Sequence, residues 1–220
     1  HGGLPLDRLT EEDLEALEKG IPNLERHIES IQSFGLPIVV SINAFKSDTE
    51  AEKNLIYVYC KKIGVPVALS YGWAEGGKGC IELAEKVVAA AQTCEAKFIP
   101  TYELEDSSLA KIEKICKGIY GANNVVLTDK AKKQLNKFEG LGYGKLPICM
   151  AKTQKSLSDN EKLLGRPRNF DIHIREFEIA AGAGFIIPIA GNILRMPGLP
   201  LTPSSEKIKI DGEGTISGLF

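Results

Sequence analysis

The sequence lacks several features that mark common classes of protein. Its 220 residues contain no G-x-x-x-x-G-K-[ST] segment, the usual cradle for nucleotide phosphates. No apolar run approaches the roughly 20 residues that cross a bilayer, and no charged-then-apolar signal region opens the chain. The formal net charge of −2 provides no broad positive field for nucleic acid or anionic lipid. We therefore expect a protein that binds neither membranes nor nucleic acids.

Motifs for metal binding and for nucleophilic catalysis are also missing. The five cysteines include no C-x-x-C pair, and most lie in apolar periodic segments, which is typical of buried free thiols. The three histidines, His1, His27 and His173, lack the spacing of metal ligands, and no Ser-His-Asp or Cys-His signature is present. We expect no metal site, and free thiols favour a reducing, cytoplasmic compartment.

Short apolar runs alternate with amphipathic stretches in the first half of the chain. Runs rich in β-branched residues at 38–42 and 65–69 predict two buried strands. A helix should follow each strand, one opened by a capping box at Ser47 and Glu50 and ending near 63, the other covering 81–91. Short connections imply a right-handed parallel arrangement. The predicted fold class is α/β, a parallel-sheet, Rossmann-like three-layer domain related to P-loop NTPases, with additional C-terminal strands.

The remaining elements are predicted from caps, periodicity and turn residues. A capped helix should begin after Thr10-Glu11-Glu12-Asp13, and Pro22 should restart its pattern. Residues 94–145 read as mainly helical, and 146–150 as a third short strand. Alternation at 171–175 predicts a strand with one wet face, followed by a strand at 185–189 and a final hairpin around Asp211-Gly212.

Unusual loops follow three of these strands, at residues 43–48, 70–79 and 150–154. Ligands of open parallel sheets bind beyond the carboxyl ends of the strands, so these loops would converge if the three strands share a sheet. Phe45 and Trp73, the sole tryptophan, could then sandwich a flat heterocycle, or they could simply plug the ends of the sheet.

Polar residues in the same loops offer further contacts. Asn43 comes directly after a strand and could read a base edge, because its amide both donates and accepts, although Asn more commonly forms turns. Lys152 and Thr153 could contact a phosphate or a carboxylate, or the lysine could lie in solvent.

Several segments match one family in order and spacing. Residues 43–52 contain N-x-F-x-x-D-T-x-x-E, residues 73–79 contain W-A-x-G-G-x-G, and residues 146–158 resemble L-P-V-C-M-A-K-T-x-x-S-L-S. Residues 181–185, 196–200 and 218–220 add shorter matches, and His1-Gly2-Gly3 is similar to the end of a further signature. Together they resemble the C-terminal portion of the formate–tetrahydrofolate ligases, also called 10-formyltetrahydrofolate synthetases.

The resemblance implies an activity and a set of contacts. Such an enzyme joins formate to tetrahydrofolate with ATP, giving 10-formyltetrahydrofolate, ADP and phosphate through formyl phosphate. Its substrates would be formate, tetrahydrofolate and ATP with Mg²⁺, a monovalent cation could also bind, and a homo-oligomer is expected. The resemblance implies that Phe45 and Trp73 contact the pterin ring and that Asn43 and Ser70 lie on the adenine side. Lys152 and Thr153 would lie in the cleft.

The resemblance also implies a division of the chain. Residues 1–30 would be the tail of a preceding nucleotide-binding domain, and residues 31–220 a C-terminal α/β domain on the folate side. The catalytic and phosphate-binding residues would lie in an N-terminal remainder of the enzyme, so the isolated chain should be inactive. The alternatives are a non-catalytic folate- or nucleotide-binding fragment, half of a split enzyme, or a domain that serves oligomer contacts.

Overall fold

The computed structural model describes residues 4–93, 97–193 and 201–218. Cys94 and the predicted matches at His1-Gly2-Gly3, 196–200 and 219–220 lie outside the described residues. The elements in chain order are α1 (Leu14–Ser33), β1 (Val40–Asn43), α2 (Glu50–Lys62), β2 (Val67–Ser70), α3 (Gly72–Glu75), α4 (Ile81–Thr93), α5 (Ser108–Ile115), β3 (Val125–Leu127), α6 (Asp129–Gly140), β4 (Ile172–Ala180), β5 (Phe185–Ala190), β6 (Lys209–Ile210) and β7 (Ile216–Ser217).

The first sheet consists of β1 and β2 in parallel, as the sequence predicted. Their register runs from Val40 opposite Val67 to Asn43 opposite Ser70. Val40 and Ile42 are buried against a core that α1 and α2 complete with Ile28 and Cys60. The α/β class and the parallel pairing are therefore confirmed, while a relationship to P-loop NTPases stays a prediction.

Helix α2 begins two residues later than its predicted capping box. The Thr49 side chain accepts from the Glu52 N–H (3.2 Å), and the Thr49 N–H donates to the Glu52 carboxylate (3.0 Å). The box predicted at Ser47 and Glu50 is wrong because Asp48 belongs to a separate turn, in which its carboxylate accepts from the Phe45 N–H. The sequence holds two overlapping S/T-x-x-E patterns, and that turn selects the second.

A second sheet orders β3, β4 and β5, with β3 parallel and β5 antiparallel to β4. The predicted alternation in β4 is confirmed, since Ile172 and Ile174 are fully buried and His173 is exposed. Strand β3 lies in the region predicted to be mainly helical. That prediction is wrong there because a three-residue run carries little periodic signal, and pairing with β4 decides its conformation.

The run at 146–150 is not a strand of the first sheet. Ile148 and Ala151, the residue directly after the run, make isolated parallel bridges to Ile186 and Ile189 of β5. The Ile186 N–H donates to the Pro147 carbonyl and the Ala190 N–H donates to the Ala151 carbonyl, but Pro188 between them has no N–H to donate, which interrupts a regular ladder. The loops after β1 and β2 therefore leave one sheet, and the loop after residue 150 leaves the other. The predicted C-terminal hairpin is confirmed by the antiparallel pair β6 and β7.

The sequence also predicts buried free thiols, and it has no apolar run long enough to cross a bilayer. The four described cysteines, Cys60, Cys80, Cys116 and Cys149, are free thiols, of which Cys60 and Cys116 are buried and Cys149 is exposed. Across the described ranges, no helix combines the length and the apolar character needed to span a membrane.

Helix α1 continues through Pro22, so the expected restart at that residue is wrong. A proline inside a helix costs about 3 kcal/mol relative to alanine, and contacts beyond it offset this cost. Asn23 donates to the Gly165 carbonyl (3.0 Å), and Arg26 donates to the Ile119 carbonyl (3.1 Å). The predicted domain boundary at residue 30 falls within this helix.

Ion pairs fasten α1 to the chain that precedes β4. The Arg166 guanidinium binds the Glu29 carboxylate at 2.6 Å and the Glu25 carboxylate at 2.9 Å, and its side chain is only 16% exposed. Arg26 adds a further contact to Glu29 at 3.0 Å. Hydrogen bonds from Arg166 and then Arg26 outweigh desolvation and lower the pKa of the Glu29 carboxyl. Through these ion pairs, helix α1, which packs on the first sheet, is bound to the segment that leads into the second sheet.

We predict that Arg166→Met lowers the free energy of unfolding by about 1–2 kcal/mol at pH 7, because partly buried carboxylates lose their partner. The pKa of Glu29 is depressed in the folded state, so this stabilisation is present above the ordinary glutamate pKa and is lost as the pH falls through the folded value. Denaturant unfolding between pH 3 and pH 7 should show wild type and variant converging in acid.

Arg168→Met, two residues away at an exposed position, is the matched control and should change the free energy of unfolding by less than about 0.5 kcal/mol. Equal stabilities of the two variants at pH 7 would contradict a fastening role for Arg166.

Candidate functional site

The loops after β1 and β2 bring Phe45 and Trp73 into contact. Their ring centroids lie 6.0 Å apart with planes inclined by 22°. The two side chains are 53% and 52% exposed, which is unusual for large aromatic residues. Because Asn43 and Ser70 are register partners at the ends of their strands, both loops begin at the same edge of the first sheet. We call these two rings the aromatic pair.

Trp73 is attached to the backbone at the end of β1. Its indole N–H donates to the Ala44 carbonyl at 2.7 Å. Ala44 is fully buried, and its own N–H donates to the Ser70 carbonyl at 3.1 Å. The indole is therefore held by a residue that the β1–β2 ladder already fixes.

Glycines allow the Trp73 loop to fold back on itself. A Cβ atom on Gly79 would lie 2.7 Å from the backbone carbonyl of Tyr71, closer than real Cβ contacts. The Tyr71 N–H donates to the Gly79 carbonyl at 3.0 Å and closes the loop. Within the loop predicted at 70–79, the chain forms short helical turns at 72–75 and 76–80.

Phe45 is held through its backbone rather than through its ring. The Phe45 N–H donates to the Asp48 carboxylate at 2.7 Å, and the Asp48 N–H donates to the Phe45 carbonyl at 3.2 Å. Asp48 is the aspartate of the N-x-F-x-x-D-T-x-x-E segment, which does not by itself indicate a role for this side chain. An aspartate three residues after a loop aromatic is the signal that could have revealed this turn.

The spacing of the aromatic pair limits what it can hold. The distance between two ring planes cannot exceed the 6.0 Å between their centroids. A flat heterocycle between them needs about 3.5 Å on each side, about 7 Å in all. The pair can therefore offer one face to a heterocycle at its present spacing, and it must widen by at least about 1 Å to enclose one.

Asn43 and Ser70 lie side by side as the last residues of β1 and β2, where the loops that carry the aromatic pair begin. Asn43 is exposed, so its amide is accessible to a ligand. Ser70 is half-buried, and its hydroxyl lies 3.5 Å from the Cys80 thiol. The two residues predicted for the adenine side therefore share the sheet edge with the two predicted for the pterin.

Lys152 lies in the loop that follows the bridges of Ile148 and Ala151 to β5, next to the second sheet. Its ammonium donates to the Thr153 carbonyl at 2.7 Å and to the Ser156 carbonyl, and it lies over the Tyr120 ring at 5.1 Å from the centroid. Burial lowers the pKa of Lys152 and raises the pKa of Tyr120 to about 12. These contacts show a lysine that supports its own loop.

Thr153 belongs to a polar groove of about 630 Å³ lined by residues from 153–162 and 191–193. Its hydroxyl accepts from the Lys155 N–H at 3.2 Å. On the same loop, the Asp159 carboxylate accepts from the backbone N–H of exposed His173 at 2.7 Å. Among the residues that the structure describes, no group of three or more His, Cys, Asp or Glu could hold a metal ion.

We predict that Lys152→Met lowers the free energy of unfolding by about 1 kcal/mol, because two carbonyl groups lose a charged donor. Loop 153–163 should also be cut sooner by subtilisin, which does not require lysine. Lys155→Met is the control, since the ion pair of Lys155 with Glu161 is exposed at 62% and 56%. Unchanged stability and unchanged cleavage in Lys152→Met would instead leave its ammonium available for a ligand.

Comparison with known protein families identifies the family of this chain. The family model described as formate–tetrahydrofolate ligase matches residues 1–220, which is the whole chain. The matched range includes the loops that carry the aromatic pair, Asn43, Ser70 and Lys152. The chain therefore belongs to the formate–tetrahydrofolate ligase family.

Proposed function

We propose that this chain forms the tetrahydrofolate-binding side of an enzyme that joins formate to tetrahydrofolate with ATP. The observation that carries the proposal is the exposed, stacked pair Phe45 and Trp73 at the common end of two parallel strands, in a chain of this family. Ligands of parallel α/β sheets bind at such ends.

The aromatic pair suits the pterin ring, which is flat and has two faces. Each aromatic contact contributes about 1 kcal/mol beyond burial. The Trp73 indole, anchored on the Ala44 carbonyl, fixes the plane against which the pterin lies. A widening of at least about 1 Å lets Phe45 cover the second face.

The contribution of these residues to the reaction is positioning. In the proposed sequence, the γ-phosphoryl group of ATP passes to a formate oxygen, which gives formyl phosphate and ADP. The N10 amine of tetrahydrofolate then attacks the formyl carbon, the bond to the phosphate oxygen breaks, and N10 loses a proton. Holding the pterin in one orientation brings N10 to the formyl carbon and lowers the entropic cost of that step.

Phosphate binding and the activation of formate are assigned to residues other than these 220, since the chain has no phosphate-binding glycine loop. Mg²⁺ would arrive with ATP, and we assign no described residue to it or to a monovalent cation. Asn43 and Ser70 would line the adenine side, where the Asn43 amide can both donate and accept. Lys152 and Thr153 would support the edge of the cleft.

Several further features remain part of the proposal. These are the P-loop-related fold, the division at residue 30, a homo-oligomer, a cytoplasmic location and an N-terminal remainder that supplies the catalytic residues. If the chain is a binding fragment or half of a split enzyme, the same aromatic pair would still bind tetrahydrofolate, but without turnover.

We predict that tetrahydrofolate quenches the fluorescence of Trp73, the single tryptophan of the chain. Phe45→Ala should weaken binding about tenfold, because one of the two stacking faces is lost. Trp73→Leu should have a similar effect in calorimetry. Phe185→Ala, which removes a partly exposed phenylalanine of the second sheet, is the control and should bind normally. No quenching in a folded sample, with normal affinity in Trp73→Leu, would refute the pterin site.

Turnover separates the two kinds of function. With formate, MgATP and tetrahydrofolate, the 220-residue chain should bind the folate but form no 10-formyltetrahydrofolate. Product formation by this chain alone would show that phosphate chemistry resides within it.

A further inference from the structure

We propose that the aromatic pair is closed on itself, that Phe45 is the ring that moves to open it, and that Asp48 is the positioning residue for that movement. This inference rests on the proposed function, because it concerns how the same site admits a pterin. It gives a role to the hydrogen bonds between Asp48 and the Phe45 backbone, which stacking on a ligand does not by itself require.

Closure follows from distance alone. At 6.0 Å between centroids, no flat ring fits between Phe45 and Trp73 with normal contacts on both faces, which need about 7 Å. An inclination of 22° between the planes brings one side of the gap closer still. Each ring therefore covers part of the face that a pterin would use, and binding on both faces must separate them.

Trp73 is the less mobile member of the pair. Its indole N–H is held at 2.7 Å by the carbonyl of Ala44, a residue with no exposed surface. The loop that carries it is closed by the Tyr71 to Gly79 hydrogen bond, at a position where any larger residue than Gly79 would clash. Moving the indole would break these contacts.

Phe45 can move at lower cost. Its ring is 53% exposed and has no polar atom to anchor it. Rotation of its side chain about staggered rotamers can open the gap without disturbing the ladder between β1 and β2. The mobile ring of the pair is therefore Phe45.

Asp48 fixes the point from which Phe45 rotates. Its carboxylate accepts from the Phe45 N–H at 2.7 Å, and its N–H donates to the Phe45 carbonyl at 3.2 Å, so both backbone groups of Phe45 are held by one residue. The next residue, Thr49, caps α2, which fixes Asp48 in turn. Without this turn, the Phe45 backbone would sample positions from which its ring cannot cover the pterin.

Acrylamide quenching of Trp73, measured before any folate is added, tests closure. Phe45→Ala should raise the quenching constant about twofold, because one face of the indole becomes uncovered. Lys46→Ala, an exposed neighbour in the same turn, should leave it unchanged. An unchanged constant in folded Phe45→Ala would overturn the closed pair, whatever the outcome of folate binding.

Tetrahydrofolate binding to two variants tests Asp48. Asp48→Ala should raise the dissociation constant about fivefold to tenfold, because the Phe45 turn is no longer preorganised. Asp48→Asn keeps an oxygen that accepts from the Phe45 N–H and should stay within about twofold of wild type. Thermal melting of both variants controls for general loss of structure.

The possible results separate the two proposals. Wild-type affinity in Asp48→Ala would overturn the positioning role, and an equal loss in Asp48→Asn would overturn it in favour of a charge contact with the ligand. If wild-type protein does not bind tetrahydrofolate but Phe45→Ala still raises acrylamide quenching, the proposed function fails while closure of the pair stands.

Discussion

The carboxylate of Glu29, bound by Arg26 and Arg166, connects helix α1 to the segment that leads into the second sheet, and the placement of the two sheets depends on this and neighbouring contacts of α1. A parallel sheet of two strands is too small to bury both of its faces. Helix α1 packs on it through Ile28. Its Arg26 side chain donates to the Ile119 carbonyl before β3, and its glutamates bind Arg166 before β4. Because the Arg166 side chain is only 16% exposed and binds two carboxylates of α1, this contact favours one orientation of the helix.

A consequence of this arrangement is that the edge of a small sheet can carry a well-defined site. The β1–β2 register fixes Ala44, the Ala44 carbonyl fixes Trp73, and Trp73 in turn is the surface on which Phe45 stacks. The first two steps use backbone groups rather than a second layer of side chains. Exposed aromatic rings are normally poorly positioned, and this sequence of backbone contacts explains how these two are ordered.

The sequence predicted the parts of this site that depend on periodicity and on unusual residues in loops. Buried β-branched runs located β1 and β2, and Phe45 and Trp73 were conspicuous among polar and glycine residues. It did not predict features decided by contacts distant in the chain. Strand β3 needs β4 beside it, α1 continues through Pro22 because Arg26 and Asn23 are held from outside, and residues 146–150 pair with β5 instead of the first sheet.

The residues expected to meet ligand and the residues that position them are of different kinds. Phe45, Trp73 and Asn43 are exposed, so their types can be read as binding residues from the sequence. Ala44 acts through its backbone carbonyl, and Gly79 acts through the absence of a side chain. Neither role can be inferred from the residue type alone. Binding affinity in such a site depends on preorganisation as much as on contact area. Substitutions at these inconspicuous positions should therefore alter ligand binding without removing any atom that touches the ligand.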